Sequence, residues 1–196
     1  RLVGDRLDPE SIAFLDDEVL HLAFNILGAD AFAQVLPELD SDDAVQIASE
    51  LEPGELNDVL AAMPAQNRAQ VEQALAFPEN TAGRIMQYEK ITVPPFWTVL
   101  QTIKYVRSVG SHNQEFYMII VTDAGNHPVG QVRLDKLLRS QTTQRISEIM
   151  ETDIRAIPAL LDQEIVANIF RRYAMVMACV VDADGVLLGI ITIDDV

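Results

Sequence analysis

The second half of this chain repeats itself, and that repeat constrains the fold more than any other feature. Ile85-Met86 returns as Ile149-Met150, and Val93-Pro94 returns as Ile157-Pro158, both 64 residues later. A helical pattern follows each, over residues 98–107 and 162–172. A strand-like apolar run comes next, over residues 116–121 in one copy and 176–181 in the other. The turn Asp123-Ala124-Gly125-Asn126-His127-Pro128-Val129-Gly130 matches Asp182-Ala183-Asp184-Gly185-Val186-Leu187-Leu188-Gly189. Glycines in these turns supply positive φ where other residues resist it. A last strand, residues 131–134 or 190–193, then leads toward a helix. The offset falls from 64 to 59 because the first copy carries a longer loop, around residues 108–114.

Residues 10–77 have a different texture. Ile12, Leu15, Val19, Leu22 and Ile26 fall at helical spacing and predict one helix over residues 11–27. A short helical segment follows over residues 30–36. Asp40-Ser41-Asp42-Asp43 reads as an N-cap cluster before residues 44–51, since carboxylates favour a helix N-terminus. Pro53 and Gly54 break that helix, and further helices are expected over residues 55–63 and 68–77. Short helices joined by tight turns predict a stacked helical-hairpin superhelix. The pattern changes at Phe77-Pro78-Glu79-Asn80-Thr81-Ala82-Gly83, so the fold class is α+β: helices first, the strand-bearing repeats after.

The chain has 196 residues and is 49% hydrophobic, which excludes a disordered chain. Its wholly apolar runs fall far short of the roughly 20 residues a membrane helix needs. No signal peptide is visible, and a start at Arg1 reads as an excised fragment. The lone Cys179 sits in an apolar run and reads as core packing. Charge is uneven. Residues 1–83 carry a net −14, residues 84–146 a net +4, and residues 147–196 a net −6. Such acidity repels phosphate and argues against nucleic acid. It has two readings: solubility, or self-repulsion that bound cations relieve.

The repeat resembles a CBS-domain pair, and Gly189-Ile190-Ile191-Thr192-Ile193-Asp194-Asp195-Val196 resembles the end of such a domain. Phe77-Pro78-Glu79-Asn80-Thr81-Ala82-Gly83-Arg84-Ile85-Met86 resembles the junction between the helical N domain and the first CBS repeat in the MgtE magnesium transporter family. The acidic helical array before it is similar to that family's N domain. The resemblance implies an N domain over residues 1–83, a first CBS repeat over 84–146, and a C-terminally truncated second repeat over 147–196. It implies a homodimer whose missing part includes a transmembrane pore, with this region at the cytoplasmic face of the cell membrane. The implied function is a Mg²⁺-sensing regulatory region that closes the pore when divalent cations bridge acidic faces of the N domain and the second repeat. The alternative is an adenine-nucleotide-sensing module of another transporter or enzyme.

Magnesium keeps several of its waters and needs only one or two carboxylates per ion. Matching to the family's cation-bearing positions points to Asp42 and Asp43 at the start of an N-domain helix. It also points to Asp162 and Glu164 at the start of the second repeat's helix, and to Asp194 and Asp195 at its end. Asp42 and Asp162 read equally well as helix caps. The chain departs from the pattern at Ala174 and Gln46, where acidic residues are expected. For a nucleotide, Thr192 and Asp195 fit the Thr-x-x-Asp pattern that holds phosphate and ribose. The first repeat has Arg133 and Lys136 there, and a lysine cannot accept hydrogen bonds from ribose hydroxyls. An enzyme is not expected: His21, His112 and His127 lack metal-ligand spacing, and no phosphate-binding glycine loop is present. Phe96 and Trp97 read as packing rather than as a stacking platform.

Overall fold

Acidic caps and prolines divide the first region more finely than its apolar periodicity suggests. In this computed structural model, which describes residues 9–13, 15–109 and 116–196, the chain forms two compact units, Arg1–Glu79 and Asn80–Val196. The first holds α1 (Pro9–Ala13), α2 (Asp17–Leu27), α3 (Ala29–Val35), α4 (Ser41–Glu50), α5 (Pro53–Ala62) and α6 (Ala65–Leu75). The single helix expected over residues 11–27 is two helices. The Asp16 carboxylate accepts the Val19 N–H at 3.0 Å, and that cap starts α2 afresh. Pro53 and Gly54 do not lie in a break; they open α5, where proline's missing N–H leaves no helix bond unmade. α3 packs on α5 and α4 on α6, the next-but-one contact of stacked hairpins. Leu20, Phe32, Leu36 and Val59 are fully buried between them, and Phe24 meets Phe32 edge-on at 5.3 Å. Among the described residues no single helix is long and apolar enough to cross a membrane.

The second unit holds β1 (Thr92–Val93), α7 (Val99–Val109), β2 (Met118–Thr122), β3 (Pro128–Arg133) and α8 (Leu134–Arg139). Then come α9 (Ile146–Ile149), β4 (Ala156–Pro158), α10 (Gln163–Tyr173), β5 (Met177–Val181) and β6 (Leu187–Thr192), closed by a 3-10 turn at Ile193–Asp195. Two sheets form, β1-β2-β3 and β4-β5-β6, each with one parallel and one antiparallel pair. The repeat is kept in the detail of the register. Thr92 pairs with Ile120 as Ala156 pairs with Cys179, and a bulge follows Val121 as another follows Val180. The positive-φ turn positions correspond as well, but in the first copy Asn126 (φ 61°) takes the role, not Gly125; Gly185 (φ 83°) takes it in the second. β3 begins at Pro128, earlier than the turn reading allows; the first residue of a strand tolerates a missing N–H. Trp97 packs edge-on against Tyr105 at 5.4 Å, whereas Phe96 is 67% exposed and does not pack as expected. Of the longer loop expected around residues 108–114, residues 108 and 109 still belong to α7, and the rest, with His112, lies outside the described residues.

The two repeats exchange their lead-in segments. Gln87, ahead of the first repeat, exchanges two backbone bonds with Ile190 of β6, at 2.8 and 2.9 Å. Glu151, ahead of the second, does the same with Gln131 of β3, also at 2.8 and 2.9 Å. Thr81 bridges to Asp162, and Arg145 bridges to Thr98. Glycine permits both crossings. A Cβ on Gly189 would lie 2.5 Å from the Gln87 carbonyl oxygen, and one on Gly130 would lie 2.8 Å from the Met150 sulfur.

Candidate functional site

Exchange of the lead-ins brings the two sheets together and leaves a cleft of about 790 Å³ in the second unit. Its walls come from both repeats. β2 and its approach give Tyr117 and Met118, the end of β3 gives Arg133, and the lead-in to β4 gives Glu151, Asp153 and Arg155. The C-terminus of α10 gives Tyr173. Ala174 then takes a left-handed conformation (φ 48°), ending the helix and turning the chain into β5 at the cleft edge. The Arg155 guanidinium lies 3.8 Å from the centre of the Tyr173 ring, and Arg172 lies 5.6 Å from it. Arg133 donates to Asp135 at 3.0 Å and also borders a shallower hollow of about 260 Å³ with Lys136 and Arg139. The cleft therefore offers aromatic faces beside the guanidinium groups of Arg133 and Arg155, with the carboxylates of Asp135, Glu151 and Asp153 also in its walls.

The sequence reading passed over Tyr117, Tyr173 and Arg155. A signal was present: Tyr173 stands where the first repeat has Val109, and Tyr117 stands where the second has Val176. An aromatic placed where its repeat partner is aliphatic marks a point at which the two copies have diverged.

Thr192 and Asp195 lie on the other, nearly closed side. Asp195 accepts the Thr192 N–H at 2.7 Å and its hydroxyl at 3.0 Å, while its second oxygen accepts from the Gln87 side-chain amide at 3.3 Å. The Thr192 hydroxyl also lies within bonding reach of Asp194. The counterpart cleft beside them holds only about 20 Å³.

The metal candidates are dispersed. Asp42 and Asp43 lie half-buried in the first turn of α4. Asp162 caps α10, accepting the N–H groups of Glu164 at 2.9 Å and Ile165 at 3.4 Å, and Glu164 is exposed beside it. Asp194 and Asp195 sit past the far end of β6. Asp162 follows Pro158, whose sheet row runs through Val181 to Leu187, so five strand steps separate that end from Thr192. That is roughly 17 Å along β6, so the two pairs follow from opposite ends of that strand. Among the described residues no three His, Cys, Asp or Glu side chains converge as a metal cage.

A helical unit joined to two interlocked repeats around a ligand-sized cleft defines a tandem-CBS module fused to an α-helical domain. Residues 1–80 match the family model "MgtE intracellular N domain", and residues 146–196 match the CBS domain. The chain belongs to the MgtE family, as its N domain and CBS pair. The magnesium transporter MgtE of Bacillus subtilis is 25% identical over 187 residues, spanning 95% of this chain and 42% of that protein. MgtE of Thermus thermophilus is 30% identical over 157 residues, spanning 80% of this chain and 35% of that protein. A crystal structure of the cytosolic domain of the Mg²⁺ channel MgtE in complex with ATP superposes with a TM-score of 0.88 at 27% identity, covering 95% of this chain and 77% of that one. The chain thus spans less than half the length of these curated relatives, which are named as transporters rather than enzymes.

Proposed function

We propose that this chain is the cytosolic regulatory region of a magnesium transporter or channel, and that it reads divalent cation through carboxylates on its surface. The observation that carries this reading is the placement of Asp162 with Glu164, and of Asp194 with Asp195, as separate small groups at the ends of elements. A dehydrated all-protein cage would need more ligands in one place. Magnesium, which keeps its waters, is suited to sharing between such groups and a second acidic surface. Bound ions lower the self-repulsion of a chain with a net charge of −16, and so favour a compacter state. Several modest contacts add up: a switch from 1:99 to 99:1 needs about 5.5 kcal/mol of differential binding. In the whole protein, a homodimer at the cytoplasmic face of the membrane, that compaction closes the pore. The test is small-angle scattering with and without millimolar Mg²⁺ at fixed ionic strength, with potassium as control. Contraction specific to magnesium supports the reading; an unchanged radius sinks it.

The open cleft favours a second reading, in which the same module also takes an adenine nucleotide. Tyr117 and Tyr173 offer ring faces, and Arg133 and Arg155 offer charge for phosphate. The similar cytosolic domain described above was crystallised with ATP. Arg133→Ala should weaken ATP binding at least tenfold, measured by calorimetry, the loss of one charge-assisted contact of about 1.4 kcal/mol or more.

A further inference from the structure

The pair of repeats carries two related clefts of very unequal size, about 790 Å³ beside Arg133 and about 20 Å³ beside Thr192. The small one is walled by Ile91, Phe116, Met118, Met177 and Ile190, with Lys90 among them. The Lys90 ammonium donates to the Leu188 carbonyl at 2.6 Å and to the Tyr88 carbonyl at 3.1 Å. It thereby ties the lead-in of the first repeat to β6 of the second, while its own side chain lines the small space. At the repeat-equivalent position, 64 residues on, stands Ile154, which has no ammonium to make such a tie. Sequence alone makes the Thr192 side the better nucleotide site, since only that side keeps Thr-x-x-Asp. Yet Asp195 there already accepts from Gln87, and the space beside Thr192 is only about 20 Å³.

We propose that Lys90 is a built-in occupant of the second cleft, so that the CBS pair offers one ligand cleft per chain, and that a purine nucleoside enters the second only when the Lys90 side chain is removed. The ammonium does here what a ligand's donor would do: it satisfies the two carbonyls at the seam and holds the repeats shut on that side. Burial lowers the pKa of Lys90, as expected of an amine withdrawn from solvent. Its charged and titratable neighbours are Glu89 and the buried thiol of Cys179.

Amine labelling tests the closure without any ligand. With acetic anhydride, Lys90 should react at least about tenfold more slowly than the exposed Lys104 and Lys136. Equal rates would overturn the proposal. The ligand arm rests on the nucleotide reading of the open cleft, and uses adenosine as the probe in calorimetry. Tyr173→Ala, which takes away a ring face of the open cleft alone, should weaken adenosine there at least tenfold, and Lys90→Ala added to it should restore binding at about one adenosine per chain. A second site present while Lys90 is intact, or no site gained in the double variant, overturns the occupant role. Failure of adenosine and ATP to bind the unaltered chain counts against the nucleotide reading alone, because the labelling rate still decides the closure.

Discussion

The side-chain amide of Gln87 donates to Oδ1 of Asp195 at 3.3 Å, joining a residue ahead of the first repeat to the last turn of the second across 108 positions of sequence. That bond sits beside the backbone pairing of Gln87 with Ile190, so side chain and main chain close the same seam. Gln87→Ala removes a charge-assisted bond on a partly buried carboxylate. The expected cost is about 1 kcal/mol, or a fall of about 2–4 °C in melting temperature for a chain of this size. Differential scanning calorimetry checks it; an unchanged melting point would mean that water replaces the amide without loss.

Gly189→Ala should cost more than Gly130→Ala. The first would press a Cβ against a carbonyl oxygen of the backbone, at 2.5 Å. The second meets first the end of the Met150 side chain, which can rotate away, although Glu151 O also lies 3.0 Å off. Overpacking typically costs about 1–3 kcal/mol, and the alanine at 189 belongs at the top of that range. Urea denaturation of the two variants gives the order directly.

Asp162 holds two roles that one pair of substitutions separates. Its carboxylate caps α10 and is also a candidate magnesium contact. Asp162→Asn keeps an acceptor for the N–H groups but removes the charge; Asp162→Ala removes both. Both variants should blunt magnesium-dependent contraction in scattering, while only the alanine should lower stability, by about 1 kcal/mol. If the asparagine variant contracts like the unaltered chain, Asp162 is a cap and nothing more.

Burial pushes the Cys179 thiol up to about 12, with Lys90 pulling weakly the other way. In the unfolded chain the thiol ionises near its ordinary value of about 8.5. The unfolded state therefore releases its proton first as pH rises. The contribution of Cys179 to stability is complete below about pH 8.5 and is lost progressively between there and about pH 12. Cys179→Val should flatten that alkaline decline. Comparing urea midpoints of the two proteins from pH 8 to 10 isolates the effect, since Lys90 and Tyr88 titrate in both. Equal slopes would place the thiol in contact with solvent.

Much of the architecture can be read from the sequence because duplication prints it twice. The 64-residue offset relates β1 to β4 and α7 to α10, and the 59-residue offset relates the later strands down to their bulges. The break at Asp16 is harder to read, because the apolar spacing from Ile12 to Ile26 runs across it without interruption, and only a three-atom cap decides the matter. The open cleft is harder still. Its residues come from β2, β3, α8, the lead-in to β4, α10 and β5, and no local pattern links Tyr117 to Tyr173. The Thr-x-x-Asp pattern at Thr192 is legible, yet its chemistry is not, because Gln87, the partner of Asp195, lies 108 positions away. Local spacing shows which groups a chain owns, and long-range pairing decides which of them remain available.

Exchange of the lead-in segments also means that the repeats are not two beads on a string. Gln141, Thr142 and Thr143 form an exposed turn between α8 and α9. A protease nick there would yield two polypeptides, each keeping a segment that the other's sheet requires: Gln87 with β6, and Glu151 with β3. The fragments should remain associated through gel filtration and should refold only when mixed. Neither half is a complete inheritable domain, so only the pair travels intact when genes are cut and rejoined.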